Sequence, residues 1–117
     1  MSLPIRIEII TLGDELLLGI RENAHLSYLG IQLAHHGIEP SANLVVRDQA
    51  DEIKTFFSES WKRSDLVITT GGLGPTSDDL TRETIAGILD EKLVFDSSIE
   101  HALRERFSNL GRTMPEN

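Results

Sequence analysis

Residues 66–81 read LVITTGGLGPTSDDLT, and this segment indicates the class of fold most clearly. Its first five residues form a short, continuous apolar run, which is typical of a strand buried on both faces of a parallel sheet. Three glycines within the next four positions let the backbone turn tightly. Ile85, Ile88 and Leu89 then recur at helical spacing. The stretch therefore predicts a strand, a glycine-rich loop and a helix in succession.

The same alternation of strand and helix extends toward the N-terminus. Apolar runs over residues 5–12 and 42–46 predict two further strands. Helical spacing predicts one helix from residue 26 to a C-terminal cap at Gly37, and another over residues 53–61. Strands that alternate with helices are typical of a parallel sheet covered by helices. Right-handed crossovers bring the strand-to-helix loops of such a sheet to one edge, where ligands bind.

Short polar side chains mark where the helices begin. Asp48 or Asp51 is available to cap the helix over residues 53–61, because its carboxylate can accept hydrogen bonds from free N–H groups. Further along, residues 93–95 favour a short strand, and residues 97–100 (SSIE) match a capping box. This box predicts the start of a fourth helix.

The composition limits the classes of function. A chain of 117 residues has room for one domain. Eleven Lys and Arg against nineteen Asp and Glu give a net charge of −8, which disfavours nucleic acid and anionic membranes as partners. The absence of cysteine excludes disulfides, thiolate zinc ligands and thiol nucleophiles. Since no apolar run is long enough to span a bilayer and no signal-peptide pattern opens the chain, we expect a cytoplasmic protein.

Five acidic residues follow the three predicted strands. Asp14 and Glu15 come after the first strand, Asp48 after the second, and Asp78 and Asp79 after the third. Each is individually compatible with an ordinary helix cap or a solvated turn. The fold, however, brings all five to one sheet edge, where like charges repel each other. A bound metal ion or a role in proton transfer would explain such crowding.

The glycine-rich loop is a candidate phosphate site. Gly71, Gly72 and Gly74 allow backbone N–H groups to approach a ligand, and the positive end of the next helix dipole faces the same space. The loop lacks the lysine of a P-loop and the third glycine of a dinucleotide-binding fingerprint. Asp78 and Asp79 suit a phosphate site if Mg²⁺ lies between them and the phosphate oxygens. The alternative is a simple turn followed by an N-cap.

These motifs resemble a known family. Residues 13–19 (GDELLLG), 47–48 (RD) and 70–81 (TGGLGPTSDDLT) resemble the N-terminal domain of the competence/damage-inducible protein CinA family. That domain is similar to the molybdopterin-binding fold of molybdopterin adenylyltransferases and molybdenum insertases. The resemblance implies a three-layer α/β/α domain with a mostly parallel sheet. Because the family domain is longer, we expect residues 1–117 to form a single domain that lacks its C-terminal part.

The resemblance also implies an activity. Domains of this branch are metal-dependent pyrophosphatases that act on ADP-ribose, so the expected cofactor is a divalent ion, Mg²⁺ or Co²⁺. A separate C-terminal domain, where present, deamidates nicotinamide mononucleotide. Asp48 and Asp79 match the functional acids of the wider superfamily, which makes them the expected catalytic pair. Glu15 matches the acid of the GDEL turn in the insertase relatives.

The roles of the remaining site residues follow from this reaction. Asp48 would position or deprotonate the attacking water. The expected phosphate-binding residues are Gly13, Gly71, Gly72, Gly74 and Thr76. The expected metal ligands are Asp78, Asp79 and Glu15.

Two other functions remain open at this point. The domain could bind a molybdopterin phosphate or an adenylated pterin without hydrolysis, or it could serve only as a scaffold for assembly. We expect a small-molecule partner, either an ADP-ribose-like nucleotide or molybdopterin. We also expect a homo-oligomer, because a parallel sheet without its last elements exposes an unpaired edge and an apolar face.

Overall fold

The computed structural model describes residues 4–116. It contains three strands and five helices in these residues, in the order β1 (Ile7–Leu12), α1 (Asp14–Leu17), α2 (Ala24–His35), β2 (Ala42–Val46), α3 (Ala50–Arg63), β3 (Leu66–Thr70), α4 (Thr81–Ile88) and α5 (Ser97–Asn109). The predicted alternation of strands and helices is confirmed, and the short helix α1 is an addition. None of the helices between residues 4 and 116 is long and apolar enough to cross a membrane.

The three strands form a parallel sheet in the order β2-β1-β3. Leu12 pairs with Val46 and Thr11 pairs with Thr70, so all three strands end at the same edge. Strand β1 lies in the centre, and every one of its residues is buried. The loops that follow the strands therefore begin side by side, as the sequence predicts.

Helices cover both faces of the sheet, which confirms the three-layer architecture. On one face, Ile10 and Leu12 of β1 pack with Ile53 and Phe57 of α3, and residues of α4 complete this core. Side chains alternate along a strand, so Thr11 lies on the opposite face. There the capping residue before α2, Asn23, donates from Nδ2 to Thr11 Oγ1 over 3.2 Å.

Strand β3 is less covered than its apolar sequence predicts. The expectation of burial on both faces is wrong, because Leu66 is 46% exposed and the other residues of the strand are only half-buried. Among residues 4–116, β3 pairs with β1 alone, so it is an edge strand. Residues 93–95 do not form the predicted strand and are exposed instead.

Two predicted helix caps are also wrong. Helix α3 begins after Gln49 with no side-chain cap, so neither Asp48 nor Asp51 serves that purpose. Helix α5 is capped one residue earlier than the capping box predicts, by Asp96, whose Oδ1 accepts from Ser98 N and Ile99 N. A carboxylate makes stronger charge-assisted bonds to free N–H groups than a hydroxyl does, which explains the displacement.

A buried carboxylate ties the far end of the sheet to α3. The side chain of Glu8 in β1 is fully buried and accepts from Arg63 Nε at 2.7 Å and from Ser60 Oγ at 2.7 Å. Arg6 adds a third donor, with Nη2 at 2.7 Å from Glu8 Oε1. The bond from Arg63 is the main cause that lowers the pKa of Glu8 to about 2. This cluster is structural, since it lies opposite the edge where the strands end.

Candidate functional site

A pocket of about 510 Å³ opens at the edge where the three strands end. The loops after all three strands contribute to it. Its lining consists of Leu12, Gly13, Asp14, Glu15, Asp48, Gln49, Gly71, Gly72, Asp78 and Asp79. We call it the acidic pocket. The predicted meeting of five acidic residues at one edge is confirmed, and the catalytic, phosphate and metal roles assigned to them stay predictions.

Asp48 brings a buried carboxylate oxygen to the acidic pocket. Its backbone N–H donates to Asp14 Oδ1 over 3.2 Å, so the two loops are tied together. Its Oδ1 atom is buried and has no hydrogen-bond partner among residues 4–116. Burial, followed by the negative charges of Asp79 and Asp14, raises the pKa of Asp48. An ionised carboxylate in this position lacks the compensation that a cation or a proton would provide.

The glycine-rich loop needs glycine at its first two positions. Gly71 and Gly72 have φ angles of +92° and +63°, in the left-handed region. A Cβ on Gly71 would overlap the carbonyl oxygen of Leu12, and a Cβ on Gly72 would overlap Thr81 Oγ1. The same Cβ on Gly72 would lie 3.1 Å from Asp48 Oδ1. The absence of side chains here therefore lets Leu12, Thr81 and Asp48 pack directly against the backbone of the loop.

Asp79 is held by its own loop. Its Oδ2 accepts from Thr76 Oγ1 at 2.6 Å and from Thr76 N at 3.1 Å. The hydroxyl of Thr76 is the main cause that lowers the pKa of Asp79. A Cβ on Gly74 would lie 2.5 Å from the same Oδ2. Thr76 and Gly74 thus position Asp79 in this structure and do not line the acidic pocket, so their predicted phosphate contacts stay a prediction.

The donor set around Asp48 suits a hard divalent cation that is shared with a ligand. Residues 4–116 contain no group of three or more His, Asp and Glu side chains arranged to hold a metal ion. Mg²⁺, however, commonly binds through one or two carboxylates together with substrate phosphates and water. The unpartnered oxygen of Asp48 and the ionised Asp79 supply two such carboxylates. The metal roles of Asp78 and Glu15 stay predictions.

Sequence reasoning missed two contacts that organise the pocket. Asp14 was expected only as one of five crowded acids, yet it accepts a bond from the backbone of Asp48. Thr81 was expected only as part of a motif, yet its Oγ1 donates to the carbonyl oxygen of Gly71 over 3.0 Å. The first contact joins two loops that are 34 residues apart, and the second closes the glycine-rich loop across 10 residues, so neither follows from a helix or strand pattern. Gln49 also lines the pocket without any signal in the sequence.

A parallel sheet with helices on both faces and a pocket at its carboxyl edge defines an α/β domain of the class whose members bind ligands at that edge. The family model described as "Probable molybdopterin binding domain" matches residues 8–115. The chain therefore belongs to this molybdopterin-binding domain family and represents the N-terminal domain of its CinA branch.

Individual relatives agree with this assignment. The chain is 46% identical over 107 residues to a CinA-like protein of Frankia casuarinae, and the match covers 92% of this chain and 25% of that protein. CinA of Thermoplasma acidophilum has a similar structure, with a TM-score of 0.74, 35% identity and coverage of 97% of this chain and 67% of that one. The tungsten cofactor synthesizing protein MoaB of Pyrococcus furiosus is also similar, with a TM-score of 0.68 and 26% identity. That match covers 95% of this chain and 68% of that one. The chain thus spans about a quarter of the CinA-like relative's length.

Proposed function

We propose that this domain binds the phosphates of a nucleotide-sugar pyrophosphate such as ADP-ribose, together with Mg²⁺ or Co²⁺, and hydrolyses the pyrophosphate bond. The observation that carries the proposal is the buried Oδ1 of Asp48, which lacks a partner and lies beside the glycine-rich loop. A divalent ion held by this carboxylate would compensate the buried charge. The resemblance to CinA N-terminal domains implies the same ligand class.

The reaction adds one water across the anhydride. The water oxygen bonds to one phosphorus, the bridging oxygen leaves with the other, and ADP-ribose and water become AMP and ribose 5-phosphate. Asp48 would accept a hydrogen bond from the attacking water, and burial, which raises its pKa, makes it a better base. Thr76 lowers the pKa of Asp79, so this carboxylate remains ionised and would attract a cation to the pocket.

A bound divalent ion would neutralise charge on the phosphoryl oxygens and favour ionisation of the water. Asp48 and Asp79 are the residues that would hold it, with Glu15 and Asp78 at the rim of the same pocket. The acidic pocket of about 510 Å³, which Asp48 and Gly72 both line, leaves room for a phosphate.

The direct test incubates the chain, and a version with the full length of its CinA-like relatives, with ADP-ribose and either Mg²⁺ or Co²⁺. We expect the longer version to release AMP and ribose 5-phosphate in equal amounts. The Asp48→Asn variant is the negative control. Absence of both products with either metal would reject hydrolysis.

A second candidate is binding of molybdopterin without hydrolysis. The observations that favour it are the family description and the similarity to MoaB. The phosphate of a pterin would use the same pocket, so binding of molybdopterin with no turnover of ADP-ribose would select this alternative.

A further inference from the structure

A second pocket of about 350 Å³ lies beside the acidic pocket. Leu12, Glu15 and Gly71 line both pockets, so the two adjoin. The remaining walls of the second pocket come from α1, from the segment between α1 and α2, and from the first turn of α2. The space nearest to a ligand in the acidic pocket on this side is therefore the second pocket.

The second pocket combines a free cation with carboxylates. The guanidinium group of Arg21 makes no ion pair within the described part of the chain. The backbone N–H of Arg21 donates to the Glu15 carbonyl over 3.1 Å, which keeps this residue at the pocket. Glu22 and His25 provide a further acceptor and a ring that can donate or accept. The apolar side chains of Leu16 and Ala24 complete the lining.

This mixture disfavours a second phosphate. Glu15 and Glu22 place two negative charges against the single full positive charge of Arg21, so an additional anion would be repelled. Hydroxyl groups suit the same set, because they donate to carboxylates and accept from a guanidinium group. A volume of about 350 Å³ is also within the range of small-molecule sites.

We propose that the second pocket binds the terminal sugar of the nucleotide-sugar pyrophosphate, with Arg21 and Glu22 as ligands of its hydroxyl groups. The inference rests on the proposed function, since it requires the phosphates to occupy the acidic pocket. Arg21 and Glu22 thereby select a sugar pyrophosphate over a plain nucleoside diphosphate.

The test compares ADP-ribose with ADP, which lacks the terminal sugar, by calorimetry in the presence of Mg²⁺. Arg21→Ala should weaken binding of ADP-ribose about tenfold, as expected for loss of a charge-assisted hydrogen bond, and leave binding of ADP unchanged. Glu22→Ala should act in the same direction. Arg104→Ala, which removes the same charge from α5, is the matched control and should change neither affinity.

Each other outcome has a distinct meaning. Equal weakening of ADP and ADP-ribose by Arg21→Ala would place phosphate or adenosine in the second pocket and overturn the inference alone. Unchanged binding of both ligands by Arg21→Ala and Glu22→Ala would also overturn it, while the proposed function survives. Failure of both the unmodified chain and the version with the full length of its CinA-like relatives to bind either ligand would reject the proposed function and this inference together.

Discussion

At the scale of single residues, Asp48 has the properties that most clearly indicate a function. One oxygen of its carboxylate is buried without a partner within residues 4–116, and four neighbouring acids place negative charges near it. These properties are unfavourable for a residue that serves only the fold. A bound cation or a proton would compensate the charge of this carboxylate, so the side chain of Asp48 is the first to test.

Asp48→Asn should lower any pyrophosphatase activity by about a hundredfold or more, because a general base contributes on that order. Its folded state should be at least as stable as that of the unmodified chain without metal. The raised pKa of Asp48 means that its charge costs stability at neutral pH, and asparagine removes this cost. Product release and thermal unfolding measure the two effects. Asp51→Asn in α3 is the control, and equal activity of both variants would remove Asp48 from the mechanism.

Gly72→Ala should destabilise the domain by about 2 kcal/mol. The positive φ costs about 1–2 kcal/mol for a residue with a Cβ, and the new methyl group would also overlap Thr81 Oγ1. Gly87→Ala in α4 is the matched control. Its Cβ would meet open space, so helix propensity should raise stability by up to about 1 kcal/mol. Urea unfolding compares the two, and a similar change in both variants would contradict the role of the loop geometry.

The residues of the site were more predictable than their contacts. The positions of the five acids follow from strand ends and handed crossovers, so Asp14, Asp48 and Asp79 could be placed at one edge from the sequence. The bond from Asp48 N to Asp14, and the two bonds from Thr76 to Asp79, depend on loop conformations. Loop conformations are decided by tertiary contacts such as that of Thr81 with Gly71.

At the scale of elements, the buried Glu8 joins β1 to α3. A single glutamate within the apolar run over residues 5–12 gives no local indication of its partners. Its partners, Ser60 and Arg63, are 52 and 55 positions away in the sequence. They contact Glu8 only because α3 packs against the sheet. The apolar stripes that define helices and strands are local, whereas this polar cluster is not.

The Glu8 cluster predicts a specific dependence of stability on pH. The pKa of Glu8 falls from 4.5 to about 2 on folding, so its contribution is fully present above about pH 4.5 and is lost as the pH falls toward about 2. The shift corresponds to about 3 kcal/mol. Urea unfolding of the unmodified chain and of Glu8→Gln should therefore differ more at about pH 6 than at about pH 2. Glu83→Gln, which removes a half-exposed ion pair, should change the free energy of unfolding little at either pH. A loss of stability in Glu8→Gln that is the same at both pH values would contradict this role of Glu8.

Helix α5 shows where local patterns predict an element but not its packing. The sequence predicts a helix with an apolar stripe, and the structure confirms the helix. None of its residues is buried, however, and Ile99, Leu103 and Leu110 are among the exposed apolar side chains. A stripe indicates which face would pack, but it does not supply the surface that would cover it.

At the scale of the whole molecule, the described chain is less compact than a typical domain of its length. Its Cα radius of gyration is 16.5 Å, whereas a compact chain of this size has about 13–14 Å. The uncovered helix α5 and the exposed residues Leu93, Val94 and Phe95 account for the difference. Strand β3 adds an edge that no strand within residues 4–116 covers.

We therefore predict that the 117-residue chain self-associates at high micromolar concentration. Replacing Val94 and Phe95 together by serine should reduce the association, because both side chains are largely exposed in the described structure. Light scattering over a range of concentrations measures the effect. A single monomeric species at all concentrations would contradict the prediction.

On the proposed function, the acidic pocket binds phosphates through a divalent cation that its carboxylates share with the ligand. The most direct measurement is the affinity of the chain for ADP-ribose by calorimetry, with Mg²⁺ and with a chelator in its place. We predict that binding requires Mg²⁺, because the carboxylates of Asp14, Glu15, Asp48, Asp78 and Asp79 repel an uncompensated pyrophosphate. Equal affinity with and without the cation would contradict the account.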